Sequence, residues 1–174
     1  MVSLGGLITC DGRANVEVIR RVGEGRALFK QLQKIWSHAN ITTSRKVAIY
    51  QSCIVSKVLH SLESLWLLKA DRDRIDAFHS NCIRRILRIP HSFISRVSNQ
   101  VVLEKAGVGR LSSLLERRQV ALFKRIQQLP ADNVLRSLVC NPSGEPVLWC
   151  QRRRQGRPRQ VWAHSVHKVL ESIL

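Results

Sequence analysis

Thr42-Thr43-Ser44-Arg45-Lys46-Val47-Ala48-Ile49-Tyr50-Gln51-Ser52-Cys53-Ile54-Val55-Ser56-Lys57-Val58-Leu59-His60-Ser61-Leu62 decides the fold class. Thr42, Thr43 and Ser44 carry oxygens that can accept from the unpaired amides of a first helical turn. Val47, Tyr50, Ile54, Val58 and Leu62 then fall three or four residues apart, which stacks them on one helix face. Val55 and Leu59 widen the stripe. A stripe this wide needs cover on several sides, so the segment is expected to be the most buried helix of a helical bundle.

Downstream, Asp71 offers a cap, and Ile75, Phe78, Cys82 and Ile86 keep the helical period until Ile89-Pro90 stops it. Arg84, Arg85 and Arg88 gather where the helix dipole favours cations. Upstream, Asn15 offers a cap with Glu17 in the first turn, and Val18, Val22, Phe29, Leu32 and Trp36 form a stripe. Gly23 and Gly25 interrupt it; each weakens a helix by about 1 kcal/mol against Ala, so a kink or a close backbone approach is expected there. Leu4 to Thr9, with Asp11-Gly12 as a turn, reads as a short strand.

Beyond Pro90, Ser98 caps a short helix that Gly107 ends. Ser113 with Glu116 spells a capping box before a stripe from Leu115 to Leu129. Asp132 is expected to cap a further short helix to about Val139. Asn141-Pro142-Ser143-Gly144-Glu145-Pro146 breaks the chain before a basic run and an amphipathic helix over Trp162 to Ile173. The expected fold is mainly α. It is a small helical bundle with a short N-terminal strand, and a basic C-terminal tail plus helix. The expected divisions are 1–14, 15–140 and 141–174.

The 174 residues include 29 Lys and Arg against 12 Asp and Glu, a formal net charge of +17. Hydrophobic residues make up 44%, enough for a packed core and against wholesale disorder. No run approaches the 18 or so apolar residues of a membrane span. The N-terminus lacks a signal-peptide pattern, so secretion is not expected; the expected location is intracellular and nuclear. Five cysteines, none within two or three residues of another, argue against a disulfide framework or a zinc knuckle.

A polyanion is the natural partner for such a charge, with nucleic acid first and an acidic protein second. Arg152-Arg153-Arg154-Gln155-Gly156-Arg157-Pro158-Arg159 holds five arginines in eight residues. Gly156 permits close approach and Pro158 stiffens the run, so it can lie extended in a minor groove with Arg on phosphates or base edges. It is close to the Arg-Gly-Arg-Pro core of AT-hook peptides, with Gln155 in place of the first arginine. A nuclear import signal or a basic linker are the other readings. The candidate nucleic-acid-binding residues are therefore Arg152, Arg153, Arg154, Arg157 and Arg159, with Arg84, Arg85 and Arg88 as a second group.

No phosphate loop or nucleophile elbow occurs. Asp71, Asp73 and Asp76 are the only acidic cluster, and they read as acids near a helix start. His164 and His167 with Cys140 and Cys150 sketch a zinc set, but the Cys spacing is too long for a knuckle. His60 and His79 read as core or boundary histidines. No cofactor, no metal and no membrane are expected.

Taken in order, these segments resemble the thumb and post-thumb region of non-LTR (LINE-type) retrotransposon reverse transcriptases. Leu4-Gly5-Gly6-Leu7-Ile8-Thr9 with Asp11-Gly12-Arg13 is similar to the Tyr-Leu-Gly strand and turn that follow the palm, with Ser3 where that family has Tyr. Arg20 to Trp36 resembles the helix that comes next. Arg45-Lys46, Ile49-Tyr50, Val58-Leu59-His60-Ser61-Leu62-Glu63 and Trp66 resemble the Lys, Leu-Tyr, Leu-Tyr-Gly, Glu and Trp stretch, with His60-Ser61 replacing Tyr-Gly. Phe78 with Cys82-Ile83-Arg84-Arg85-Ile86-Leu87 resembles its Phe and Cys-Leu-Arg-Arg-Ile-Leu helix, and Gly156-Arg157-Pro158-Arg159 with Trp162 its late Gly-Arg-Pro and Trp element.

The resemblance implies that 1–14 is a remnant of the palm–thumb junction and 15–140 a thumb-like body. It places the family's Ala-Asp-Asp catalytic motif upstream of Met1, and no adjacent aspartate pair occurs in this chain. The expected function is thus gripping of primer-template without catalysis, by a fragment of an RNA-directed DNA polymerase. Contacts would fall on backbone phosphates, whether DNA, RNA or hybrid, with little sequence choice. The alternatives are a helical protein-interaction scaffold and the unexpressed relic of a degraded retroelement.

Overall fold

The computed structural model describes residues 2–3, 6–7, 14–147 and 161–172. The chain is mainly helical and divides into two compact units. One holds 1–62 and 67–114, the other 63–66 and 115–174. One boundary between these units falls at 114/115.

In the first unit, α1 (Asn15–Gln31) runs into the short α2 (Gln33–Ser37). A single long helix path follows: α3 (Thr43–Tyr50), a π-helical turn (Gln51–Val55) and α4 (Ser56–Leu59). Thr42 caps α3 by accepting from the Arg45 amide at 3.3 Å. The stripe is as expected: Tyr50, Ile54, Val58, Leu59 and Leu62 are fully buried, and Val47 and Val55 nearly so. The helix stops short of Leu62, however, at Leu59, and Ser61 takes a left-handed backbone with φ 65°.

α5 (Lys69–Leu87) crosses α1 and α3. It buries Ile75, Phe78, Cys82 and Ile86, the stripe the sequence predicts, together with His79 and Ile83. Its cap position is Leu68, directly before Lys69, so Asp71 is a first-turn acid that pairs with Arg74 at 3.1 Å and not the cap. Asn15 likewise lies inside α1, after Ala14, and makes no capping bond.

α1 passes Gly23 and Gly25 without a break. Gly25 is explained by neither a kink nor a neighbouring backbone, but by side chains. A Cβ there would lie 2.5 Å from Val58 Cγ2 and 3.1 Å from Phe78 Cζ, so α4 and α5 sit in the space a side chain would occupy. Gly23 faces open space.

Two short helices, α6 (Ser92–Ser95) and α7 (Asn99–Lys105), follow. Ser98 caps α7 through the Val101 amide at 3.3 Å, and Gly107 ends it with φ 65°, both as expected. α8 (Leu111–Gln127) begins before Ser113, so the Ser113–Glu116 capping box does not form. Its first turn is served from a distance. Asp76 of α5 accepts the Ser112 amide at 2.8 Å and the Ser112 hydroxyl at 2.6 Å.

The second unit has its own core of Phe123, Cys140, Ala163, Val166 and Leu170, with Trp66 and Trp162 packed against it. Gln119 donates to the Leu65 carbonyl at 2.6 Å, and Trp162 Nε1 to the Glu63 carbonyl at 2.9 Å, which ties 63–66 into this unit. α9 (Val134–Val139) is capped by Asn133, not Asp132, through the Leu135 amide at 2.9 Å. Cys140 and Pro146 then bridge around a turn in which Gly144 has φ 85°. α10 (Trp162–Glu171) is the last helix.

The N-terminal strand expected over Leu4 to Thr9 is not supported. Of that stretch only Gly6 and Leu7 are described, in a two-residue antiparallel pairing with Val2–Ser3. Such a pairing is well below the usual strand of about 5–6 residues. Among the described residues no helix is long and apolar enough to cross a membrane.

Candidate functional site

A cleft of about 1130 Å³ opens in the first unit between α1, α2 and the C-terminal half of α5. Its cations come from three elements: Arg26 and Lys30 from α1, Arg84 and Arg85 from α5, and Arg88 just after it. Among the described residues no Asp or Glu lines it.

The distribution of acids along α1 explains the excess. In its first half Glu17 and Glu24 take up Arg20 and Arg21: Arg20 reaches Glu17 at 2.6 Å and Glu24 at 2.7 Å, and Arg21 reaches Glu17 at 2.7 Å. Burial pushes the Glu17 carboxyl up, but hydrogen bonds from Arg20 and Arg21 outweigh it and hold the group below its ordinary value. No acid follows Glu24 in α1, so Arg26 and Lys30 have no ion pair among the described residues. Arg85 has none either, and all three side chains are exposed. Arg26 and Arg85 both stand close enough to Cys82, at the floor, for their charges to favour its thiolate. Burial dominates, and the thiol is pushed up to about 12.

The floor is apolar and closed. Phe29, Trp36 and Phe78 are almost fully buried, with the Phe29 and Trp36 rings stacked at 5.0 Å and Trp36 Nε1 donating to the Phe29 carbonyl at 2.8 Å. Polar contact with a ligand is therefore left to the rim.

The three arginines expected to act together have three different roles. Arg84 is 3% exposed and spends every nitrogen inside the unit. Its Nε donates to Asn99 Oδ1 at 3.0 Å, Nη1 to the Pro90 carbonyl at 2.9 Å and Nη2 to the Val97 carbonyl at 2.5 Å. It is a clamp on the segment after α5, not a ligand-binding cation. Arg88 occupies a left-handed cap with φ 57° and donates to the Ser37 carbonyl at 3.0 Å, closing one end of the cleft against α2. Of these three, Arg85 alone presents to the cleft a guanidinium with no ion pair among the described residues.

Arg26 and Lys30 are the cations that sequence reasoning missed. The signal was there: a helix whose carboxylates all precede residue 25 leaves its later cations unneutralised. Arg152, Arg153, Arg154, Arg157 and Arg159 lie outside the described residues.

The first unit also holds a buried polar chain. His79 Nε2 donates to the Gly109 carbonyl at 3.1 Å, since a carbonyl can only accept, which leaves Nδ1 to accept from the Tyr50 hydroxyl at 2.9 Å. Burial lowers the His79 pKa and raises that of Tyr50, so both are neutral structural groups. His60 is exposed, between Arg21 and Ser61. His167 pairs with Glu171 at 3.4 Å and packs its ring on Phe123. Among the described residues no group of three or more His, Cys, Asp and Glu could hold a metal ion.

Compared with known proteins, the chain matches no family model, no curated protein and no solved structure.

Proposed function

We propose that this chain binds nucleic acid without catalysis, as the thumb-like fragment of a LINE-type RNA-directed DNA polymerase would. The observation that carries the reading is a cleft with no carboxylate, and no ion pair for Arg26, Lys30 or Arg85, among the described residues, in a chain of net charge +17. Unpaired cations at fixed positions on rigid helices repel one another until an anion sits between them. A phosphate backbone supplies such anions at regular spacing, and releases its counterions on binding. The Arg-rich run at 152–159 would add further phosphate contacts, and a nuclear location would suit a DNA partner.

The purified protein is expected to carry material absorbing at 260 nm that high salt strips off. The stripped protein is expected to rebind labelled duplex, hybrid or single-stranded probes at low salt. No retention of any probe at low salt would sink the reading.

One observation favours a second reading, a protein-interaction scaffold. Val134, Leu135 and Leu138 of α9 are 71%, 49% and 51% exposed, a run of apolar side chains that a partner helix could cover. Such a partner would survive high salt, whereas a phosphate backbone would not.

A further inference from the structure

The nucleic-acid reading leaves open which form is bound, and a second feature of the cleft bears on that. His91 lines the cleft where the chain leaves α5, and its ring lies 5.7 Å from that of Phe93, tilted by 53°. Phe93 is 72% exposed, the most exposed of the large hydrophobic residues described. An exposed aromatic of this size usually packs on something. The segment is not loose. Arg84 ties its start at Pro90 and its end at Val97, and Ser95 Oγ adds bonds to the Pro90 and His91 carbonyls at 3.1 and 3.2 Å. The ring is thus held out to solvent on a fixed support, one ring contact away from the cleft lining at His91.

We propose that this rim is a single-strand site: phosphates of unpaired DNA or RNA bind Arg26, Lys30 and Arg85 while a base stacks on Phe93, with His91 behind it. The inference rests on the nucleic-acid reading and narrows it. Cationic grooves joined to exposed rings are how sequence-tolerant single-strand binding is built, since every base offers a π-face. Paired bases are stacked on each other and offer no face to Phe93. The cleft volume of about 1130 Å³ also suits one or a few nucleotides, being close to the roughly 300–1,000 Å³ of small-molecule sites. The buried Phe29, Trp36 and Phe78 have no free face, so stacking area comes from exposed His91 in the lining and from Phe93, the ring next to it.

The test is fluorescence anisotropy of the full chain at several salt concentrations, with oligo(dT) of about a dozen nucleotides and a mixed-sequence duplex of equal length. Phe93→Ala is expected to weaken oligo(dT) binding about tenfold, with duplex affinity and salt slope unchanged. Phe93→Trp is expected to keep the affinity. The triple variant Arg26→Gln, Lys30→Gln, Arg85→Gln is expected to flatten the oligo(dT) salt slope by about 2, at about 0.7 per lost phosphate contact. All four positions are exposed, so an unchanged melting temperature shows that folding is intact. If oligo(dT) still binds but Phe93→Ala has no effect, or weakens the duplex equally, the single-strand site is wrong while nucleic-acid binding stands. If neither probe binds the wild type at low salt, both fall.

Discussion

Gly25 and Val58 are in contact as if they were one packing unit: a Cβ on Gly25 would lie 2.5 Å from Val58 Cγ2. Val58 is fully buried and β-branched, so its methyl has no free rotamer to swing into. Phe78 closes the other side at 3.1 Å. Gly25→Ala gains about 1 kcal/mol of helix propensity but overpacks a rigid contact, and a net loss of about 1–2 kcal/mol is expected. Gly23→Ala, two residues away in open space, is expected to gain about 0.5–1 kcal/mol. Urea denaturation of the two variants compares them directly; equal shifts would mean that α1 and α4 are not packed at Gly25.

Arg84 and Arg85 are neighbours with opposite fates. Arg84→Gln removes bonds to the Pro90 and Val97 carbonyls and leaves these acceptors short of donors. A loss of about 2–4 kcal/mol is expected, along with faster amide hydrogen exchange at Ser95 and Arg96, whose amides lie in the clamped segment. Arg85→Gln is a surface change and is expected to stay within about 0.5 kcal/mol of wild type. A reversed order would show that Arg84 is not the clamp.

His79 sets a pH dependence. Burial holds its folded pKa below the ordinary value, against the opposite pull of the Gly109 carbonyl and of Asp76. The unfolded chain therefore takes up a proton first as pH falls. The stability tied to the neutral ring is full above the unfolded value of about 6.5 and is lost as pH falls toward the lower folded value. The loss is at most about 1.4 kcal/mol per pH unit for one proton. Chemical denaturation between pH 5 and 8 is expected to show this fall in the wild type and to lack it in His79→Gln. A fall of equal steepness in the variant would assign it to other groups.

Much of the body was legible because it follows helical period. Val47, Tyr50, Ile54 and Val58, and again Ile75, Phe78, Cys82 and Ile86, are buried as their spacing predicts. What the sequence hid was non-local. The first turn of α8 is capped by Asp76 from 36 residues away, so the local Ser113–Glu116 pattern misled. The π-helical turn at Gln51–Val55 leaves no mark in an apolar stripe that keeps its order. Arg84 reads as a helix-end cation like Arg85, and only the return of Pro90 to Asn99 over it reveals a buried clamp. At the cleft, Arg85 was legible as a cation at a helix end. Arg26 and Lys30 showed only as late cations of a helix with no acid after Glu24, and that they face Arg85 across the cleft from another helix is non-local.

The central claim is that this chain binds polyanions through its arginines and lysines, and the salt dependence of binding measures that most directly. The full chain is compared with a variant in which Arg152, Arg153, Arg154, Arg157 and Arg159 are all Gln, on duplex, hybrid and single-stranded probes. The wild type is expected to show a linear fall of log K with log salt. Loss of five phosphate contacts is expected to flatten it by up to roughly 3.5–4.5, from about 0.7 per contact on single strands to about 0.9 on duplex DNA. Residual salt-dependent binding in the variant is then assigned to the cleft, and is expected to vanish when Arg26, Lys30 and Arg85 are also changed to Gln. Binding that does not respond to salt, or no binding at low salt by the wild type, would contradict the account.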